Sequence, residues 1–215
     1  MNYYTPYPAT PGQPLDYWLS SDMARMAPPT TPSALRDMAW TYGQYRGLAG
    51  ACTGVAACLL GGGILAATLM TGVPALWITL LAGGLALAAV GVLVRRLKLP
   101  QIAHVPPPGI SRGPERVSSG LGLAIFLGVA TGAPLVLALS GWLSQGPGPA
   151  FAFFAVMALF VLGMVSTFVV PPYFAQNARR DFRRYIENTP ALRHELEAMS
   201  LNWRDPHADR PFGPL

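Results

Sequence analysis

The chain has 215 residues, of which 52% are hydrophobic and only 12% charged, and its 15 basic and 10 acidic side chains leave a net charge of +5. Those charges avoid two long stretches, Gly47–Val94 and Val117–Ala178, which contain no Asp, Glu, Lys or Arg. A helix at a water interface needs a polar face, so stretches of that kind argue against a soluble protein and for lipid, where about 20 mainly apolar residues cross a bilayer.

In chain order, "MNYYTPYPATPGQP" is rich in Pro and Tyr without apolar periodicity. It reads as a polyproline-like tail, with a docking peptide as the functional alternative. "LDYWLSSDMARM" predicts a short surface helix with Leu15, Trp18, Leu19 and Met23 on one side. After "APPTTP", a helix capped by Thr31 or Ser33 runs through "ALRDMAWTYGQYR" into the first span. Its Trp40, Tyr42 and Tyr45 suit the headgroup layer. The first charge-free stretch splits at "TGVP" into spans 47–70 and 75–94, with Pro74 placed to open the second span without losing a hydrogen bond. The second splits at "SQGPGP" into spans 118–143 and 150–170, the latter ended by Pro171-Pro172. Pro134 falls inside the third span and predicts a kink or local loosening there.

The predicted fold class is therefore all-α integral membrane, with four transmembrane helices as two hairpins and short cytoplasmic amphipathic helices at both ends. Its parts are an N-terminal segment 1–46, a transmembrane domain 47–170 with a central loop 95–117, and a C-terminal segment 171–215. Basic residues set the orientation. Arg25, Arg36 and Arg46 precede the first span; Arg95, Arg96, Lys98, Arg112 and Arg116 fill the central loop; and seven arginines follow the fourth span. The two hairpin turns have none, so both termini and the central loop are expected in the cytoplasm. No basic segment followed by a short apolar core precedes Gly47, so no secretory signal is expected. One lysine against 14 arginines reads as GC-rich bacterial coding, which makes the bacterial inner membrane the expected location. Topogenic arginines explain the basicity, and no nucleic acid is expected as a partner.

In the C-terminal segment, Phe174, Ala178, Phe182 and Tyr185 fall on one helical face, with Arg179, Arg180, Arg183 and Arg184 on its flanks. This predicts a helix lying on the anionic inner leaflet, its Phe182 face in lipid. A second helix follows, with Thr189 as cap, Pro190 as first residue and Leu192, Leu196 and Met199 as its apolar stripe. "NWRDPHADRPFGPL" reads as an irregular end. Asp205, His207 and Asp209 alternate there without a fourth ligand, and His104 stands alone in the central loop, so no metal site is expected.

Ionisable groups inside a span are functional candidates by default, and these spans have none. Thr53, Thr68, Thr79, Thr131, Ser140, Ser166 and Thr167 can bond to carbonyls of their own helix or a neighbour without any catalytic role. No constellation of acid, base and nucleophile emerges, so neither catalysis nor a cofactor is expected. Cys52 and Cys58 sit about 240° apart around a helix and cannot bridge to each other. "GACTGVAACLLGGG" lacks the Lys-Ser/Thr ending of a phosphate loop.

Small residues instead recur every fourth position. Gly50, Gly54, Cys58, Gly62 and Ala66 form one ridge, and Gly120, Ala124, Gly128 and Gly132 form another. Such ridges let helix backbones approach closely in lipid, although Gly and Ala are common enough here for some to arise by chance. Phe151, Phe153, Phe154, Phe160 and Phe168 surround the fourth span and point to lipid or a larger partner. No motif is specific to one family. The reading is a multi-pass accessory, scaffold or assembly subunit whose partners are anionic lipid and other membrane subunits or further copies of itself. The alternative is a small transport or pore component, working as an oligomer and using the hydroxyls and the bend at Pro134.

Overall fold

A computed structural model of the chain describes residues 13–27, 32–70, 72–96, 116–203 and 211–215. The Pro/Tyr-rich stretch 1–12, Thr31, His104 and the alternating Asp205, His207 and Asp209 lie outside them. Regular structure among the described residues is wholly helical: α1 (Leu15–Leu19), α2 (Ser21–Met26), α3 (Ala34–Leu69), α4 (Pro74–Arg96), α5 (Val117–Leu139), α6 (Pro147–Phe168), α7 (Val170–Gln176), α8 (Ala178–Asn188) and α9 (Pro190–Asn202). A 3-10 turn, Ser140–Ser144, follows α5. Four stretches are long and apolar enough to cross a membrane: Ala34–Leu69, Pro74–Arg96, Val117–Ser144 and Pro147–Gln176.

Helix boundaries follow local chemistry. Pro74 opens α4, and Pro147 opens α6 behind Gly146, whose φ of 113° is open to glycine at little cost. α5 runs on past Pro134 to Leu139. Contrary to the sequence expectation, Pro171 and Pro172 do not end the fourth apolar stretch, which runs on to Gln176. After a break at Val169 they fall in the first turn of α7, where a missing N–H removes no intrahelical bond. Helical pairing carries across the break, since Val169 N donates to Val165 O at 2.9 Å and Tyr173 N to Val169 O at 3.1 Å. The single helix expected through Phe174 and Phe182 is instead two, α7 and α8, parted at Asn177.

The chain forms two compact units, a terminal unit drawing on residues 1–43 and 177–215 and a span unit drawing on 44–97 and 112–176. In the span unit, a Cβ on Gly63 would meet Leu81, one on Gly84 would meet Leu60, and one on Gly91 would meet Thr53, Ala49 and Cys52. Positions that rise on α3 while falling on α4 define an antiparallel pair. The same reading pairs α3 with the α6–α7 stretch through Gly47 and Pro171, Gly54 and Ser166, and Gly61 and Leu159. Likewise α5 pairs with α6 through Gly120 and Phe168, and Gly132 and Phe160. Close helix approach through glycine is the usual packing device in lipid, where burying apolar surface offers no drive.

The terminal unit has one apolar core. Leu15 and Trp18 of α1, Ala34, Leu35, Met38, Ala39 and Tyr42 of α3, Phe182 and Ile186 of α8, and Leu192 and Leu196 of α9 are all buried in it, together with Phe212 and Leu215. Each helix contributes residues three or four apart, the spacing that puts side chains on one face. Tyr42 stacks on Tyr185 with ring centroids 5.0 Å apart and lies 5.7 Å from Phe182. Arg193 grips both carboxylate oxygens of Asp16, at 2.8 and 3.0 Å, on the outside of this core. Both side chains are exposed, so Arg193→Ala is expected to lower the stability of the unit by less than about 1 kcal/mol in thermal melts followed by tryptophan fluorescence.

Pro211–Leu215 completes the unit by closing the start of α3. A helix leaves its first N–H groups without intrahelical acceptors. Here Ala34 N donates to Pro211 O at 3.1 Å and Leu35 N to Phe212 O at 2.9 Å. Arg36 N donates to Ser33 Oγ at 3.2 Å, and the same hydroxyl donates to Pro214 O at 2.6 Å. Ser33 is thus the N-cap that the sequence offered beside Thr31. The segment read as an irregular end is part of the packed structure.

Candidate functional site

The small-residue ridges of the span unit were the main candidates, and the structure divides them. On α3, a Cβ on Gly50 would lie 2.8 Å from Val170 Cγ1 and 3.3 Å from the Phe174 ring, and one on Gly54 would overlap the Ser166 side chain. Cys58 lies on the same side, its Sγ donating to Leu159 O at 3.4 Å. Gly62 has no atom within 4 Å of its Cβ position, and Ala66 is only partly buried. On α5, Gly120 faces Phe168 O and Pro172, Ala124 is buried, and Gly132 meets Phe160 Cε1 at 3.0 Å, whereas Gly128 again meets nothing within 4 Å.

Helix geometry explains the loss of Gly62. Four residues advance a helix by about 400°, so a strict every-fourth ridge turns about 40° per step, and Gly62 is about 120° around from Gly50. A step of seven drifts only about 20° and stays on one face. Gly47, Gly54 and Gly61 are spaced by seven, and so are Gly84 and Gly91 of α4. Gly47, Gly61, Gly84 and Gly91 were therefore legible as packing residues, had the pattern been read in sevens, whereas Gly63, which packs on Leu81, is on no such spacing.

Five of the seven candidate hydroxyls in the spans bond to carbonyls of their own helix; Ser166 is instead buried against Gly54. Thr53 Oγ1 donates to Ala49 O at 2.7 Å, Thr79 Oγ1 to Ala75 O at 2.6 Å, Thr131 Oγ1 to Leu127 O at 2.7 Å and Thr68 Oγ1 to Leu65 O at 2.8 Å. Ser140 makes the same kind of bond to Leu137 O at 2.8 Å. Their single protons are thereby committed to backbone carbonyls. Cys52 and Cys58 are both free thiols. Among the described residues, no three of His, Cys, Asp and Glu gather as a metal would require.

The basic helix of the terminal unit departs most from its sequence reading. Phe182, expected against lipid, is 2% exposed inside the core. A helical apolar stripe reports only that a face leaves water, and here α1, α3, α9 and Pro211–Leu215 supply the dry surface that lipid was expected to provide. Arg179, Arg180 and Arg184 remain exposed around the outside of α8. Arg183 is half-buried, and its Nε is shielded from solvent without a hydrogen-bond partner. Burial of Arg36, and then the positive charge of Arg179, pull the Arg36 guanidinium below its ordinary pKa, so the start of α3 adds to this basic side. In the span unit, Arg46 lies over the Phe174 ring, 5.4 Å from its centroid, a cation–π geometry.

No protein-family model, curated protein or solved structure matches the chain. Its function must accordingly be argued from these surfaces.

Proposed function

We propose that the protein is a non-catalytic accessory or assembly subunit of a larger complex in a bacterial inner membrane. The carrying observation is how little of its apolar surface it uses on itself. In three of the four membrane-length stretches, only 11% of the residues in the most apolar segment are buried. Phe126, Phe151, Phe154, Ile125 and Leu137 are all exposed there. Such faces are available to lipid and to the helices of a partner, and glycines without a neighbour at Gly62 and Gly128 add places where a further helix can approach closely.

In this reading the spans form two hairpins, with both termini and the loop 95–117 in the cytoplasm, which the distribution of arginine favours. The terminal unit then lies on the cytoplasmic side. The exposed arginines of α8 give it an attraction to anionic headgroups of about 1 kcal/mol each near the surface. Hydroxyls tied to their own helices favour the accessory reading over a pore that would line its path with them.

The test is purification of the tagged chain from native membranes in mild detergent, followed by identification of what accompanies it. A stoichiometric membrane complex is the expected result. A clean monomer in several mild detergents would remove the proposal, and ion or solute flux through liposomes holding the chain alone would replace it with the pore.

A further inference from the structure

We propose that the surface formed by Trp18, Ser33 and the first turn of α3 is a peptide-binding site, occupied here by the chain's own Pro211–Leu215 acting as an exchangeable ligand. The inference belongs to the terminal unit alone and does not rest on the role assigned to the spans. Its ligand class is an extended peptide of the pattern aromatic–Gly–Pro–aliphatic. The occupant is this segment itself, from the same chain here or offered by a second copy.

Recognition is built as peptide recognition is elsewhere, with backbone bonds for binding and side-chain pockets for selectivity. Ala34 N and Leu35 N donate to Pro211 O and Phe212 O, and Ser33 Oγ donates to Pro214 O. Leu215 N donates back to Trp18 O at 3.3 Å. Four hydrogen bonds thus hold a five-residue segment through main-chain atoms that any peptide offers. Selectivity comes from what lies between them. Phe212 is 3% exposed and sits beside Trp203, ring centroids 5.5 Å apart, while Leu215 is 2% exposed. Gly213 lies against Trp18 so closely that a Cβ there would fall 2.5 and 2.6 Å from two indole carbons and 2.8 Å from the Trp18 Cβ. The site therefore asks for an aromatic residue, then no side chain, then a carbonyl for Ser33, then an aliphatic residue.

Apart from the bonds and side chains of these five residues, the segment is tied to the unit by the chain that joins it to α9. A ligand held through a short tether owes much of its occupancy to effective concentration, and the same contacts serve an identical segment arriving from outside.

The experiment uses the full chain with a protease site introduced within residues 204–210. It is folded and purified in mild detergent and then cut, so that the segment is held only by its own contacts. The probe is a fluorescently labelled peptide with the sequence of residues 204–215. Saturable binding to the cut chain, with release of the original fragment seen by mass spectrometry, is expected, along with far weaker binding to the uncut chain. A peptide carrying Gly213→Ala should bind about tenfold more weakly or worse, because its methyl group meets the indole. If cutting unfolds the terminal unit, added peptide should restore its tryptophan fluorescence. Retention of the original fragment without exchange, failure of the peptide to bind or restore the unit, or equal binding of the Gly213→Ala peptide would each overturn the proposal and leave the segment a fixed part of the core.

Discussion

Replacing Phe182 with alanine is expected to destabilise the terminal unit by about 3–5 kcal/mol, the usual range for removing a buried aromatic ring. Phe182 is 2% exposed and packs at the centre of a core to which α1, α3, α8, α9 and Pro211–Leu215 all contribute. Its neighbours cannot easily collapse into the space, because Tyr42 is already held between the Phe182 and Tyr185 rings. The measurement is urea or thermal unfolding in mild detergent, followed through the fluorescence of Trp18 and Trp203. A lipid-facing Phe182 would behave differently. Its loss would leave the unfolding midpoint in place and weaken association with anionic vesicles, and that pair of results would return the residue to the membrane surface.

In the span unit the largest effect is expected at Gly120. A methyl group there would land on the Phe168 carbonyl and lie 2.8 Å from Pro172 Cγ. A backbone carbonyl and a proline ring have no rotamer to escape into, so α5 and the α6–α7 stretch must separate. Gly120→Ala should cost about 1–3 kcal/mol, as overpacking in a close interface usually does. Gly128→Ala, two turns further along the same helix, meets nothing within 4 Å. It should be neutral or slightly stabilising, since alanine is the better helix former by up to about 1 kcal/mol. Unfolding by SDS titration of mixed micelles compares the two directly. Equal effects would mean that the α5–α6 contact does not hold the unit together. A large effect at Gly128 alone, seen only when the native complex is retained, would locate the partner helix.

What the sequence revealed and what it withheld divide along physical lines. The four membrane-length stretches were legible because lipid excludes charge, and stretches without charge need no alignment to be seen. Ser33 was legible as a helix start because a cap is a local device. α9 does begin after Thr189 with Pro190 as its first residue, but the Thr189 side chain makes no capping hydrogen bond, so the proline and not the hydroxyl marks that start. Gly50, Gly54 and Gly120 were read as packing residues and have close neighbours, whereas Gly62 and Gly128 were read alike and have none. Glycine permits close approach, but the turning of a ridge around its helix decides whether another helix is there to meet it. The apolar faces of α1, α8 and α9 were legible one by one, but their meeting in one terminal core was not. The stripe through Ala178, Phe182 and Ile186 looks the same whether lipid or protein covers it, and much of its cover comes from α1 and α3, more than a hundred positions away. Pro211–Leu215 was the least legible, because an extended segment has no helical period, and its role is set by N–H groups at the start of a helix near the other end of the chain.

That arrangement has a consequence for how the protein is made. The core of the terminal unit takes Leu15 to Tyr42 from one end of the chain and Phe182 to Leu215 from the other, with both charge-free stretches, Gly47–Val94 and Val117–Ala178, between them. During synthesis the early half emerges with Leu35, Met38 and Tyr42 uncovered, and its partners do not yet exist. Closure has to wait until the intervening stretches and the residues after them have been synthesised. Contacts between distant parts of a chain form late, and apolar surface that waits for them invites aggregation. The terminal unit is thus completed last: until residues 182–215 have been made, the apolar side chains of the early half lack the partners that bury them.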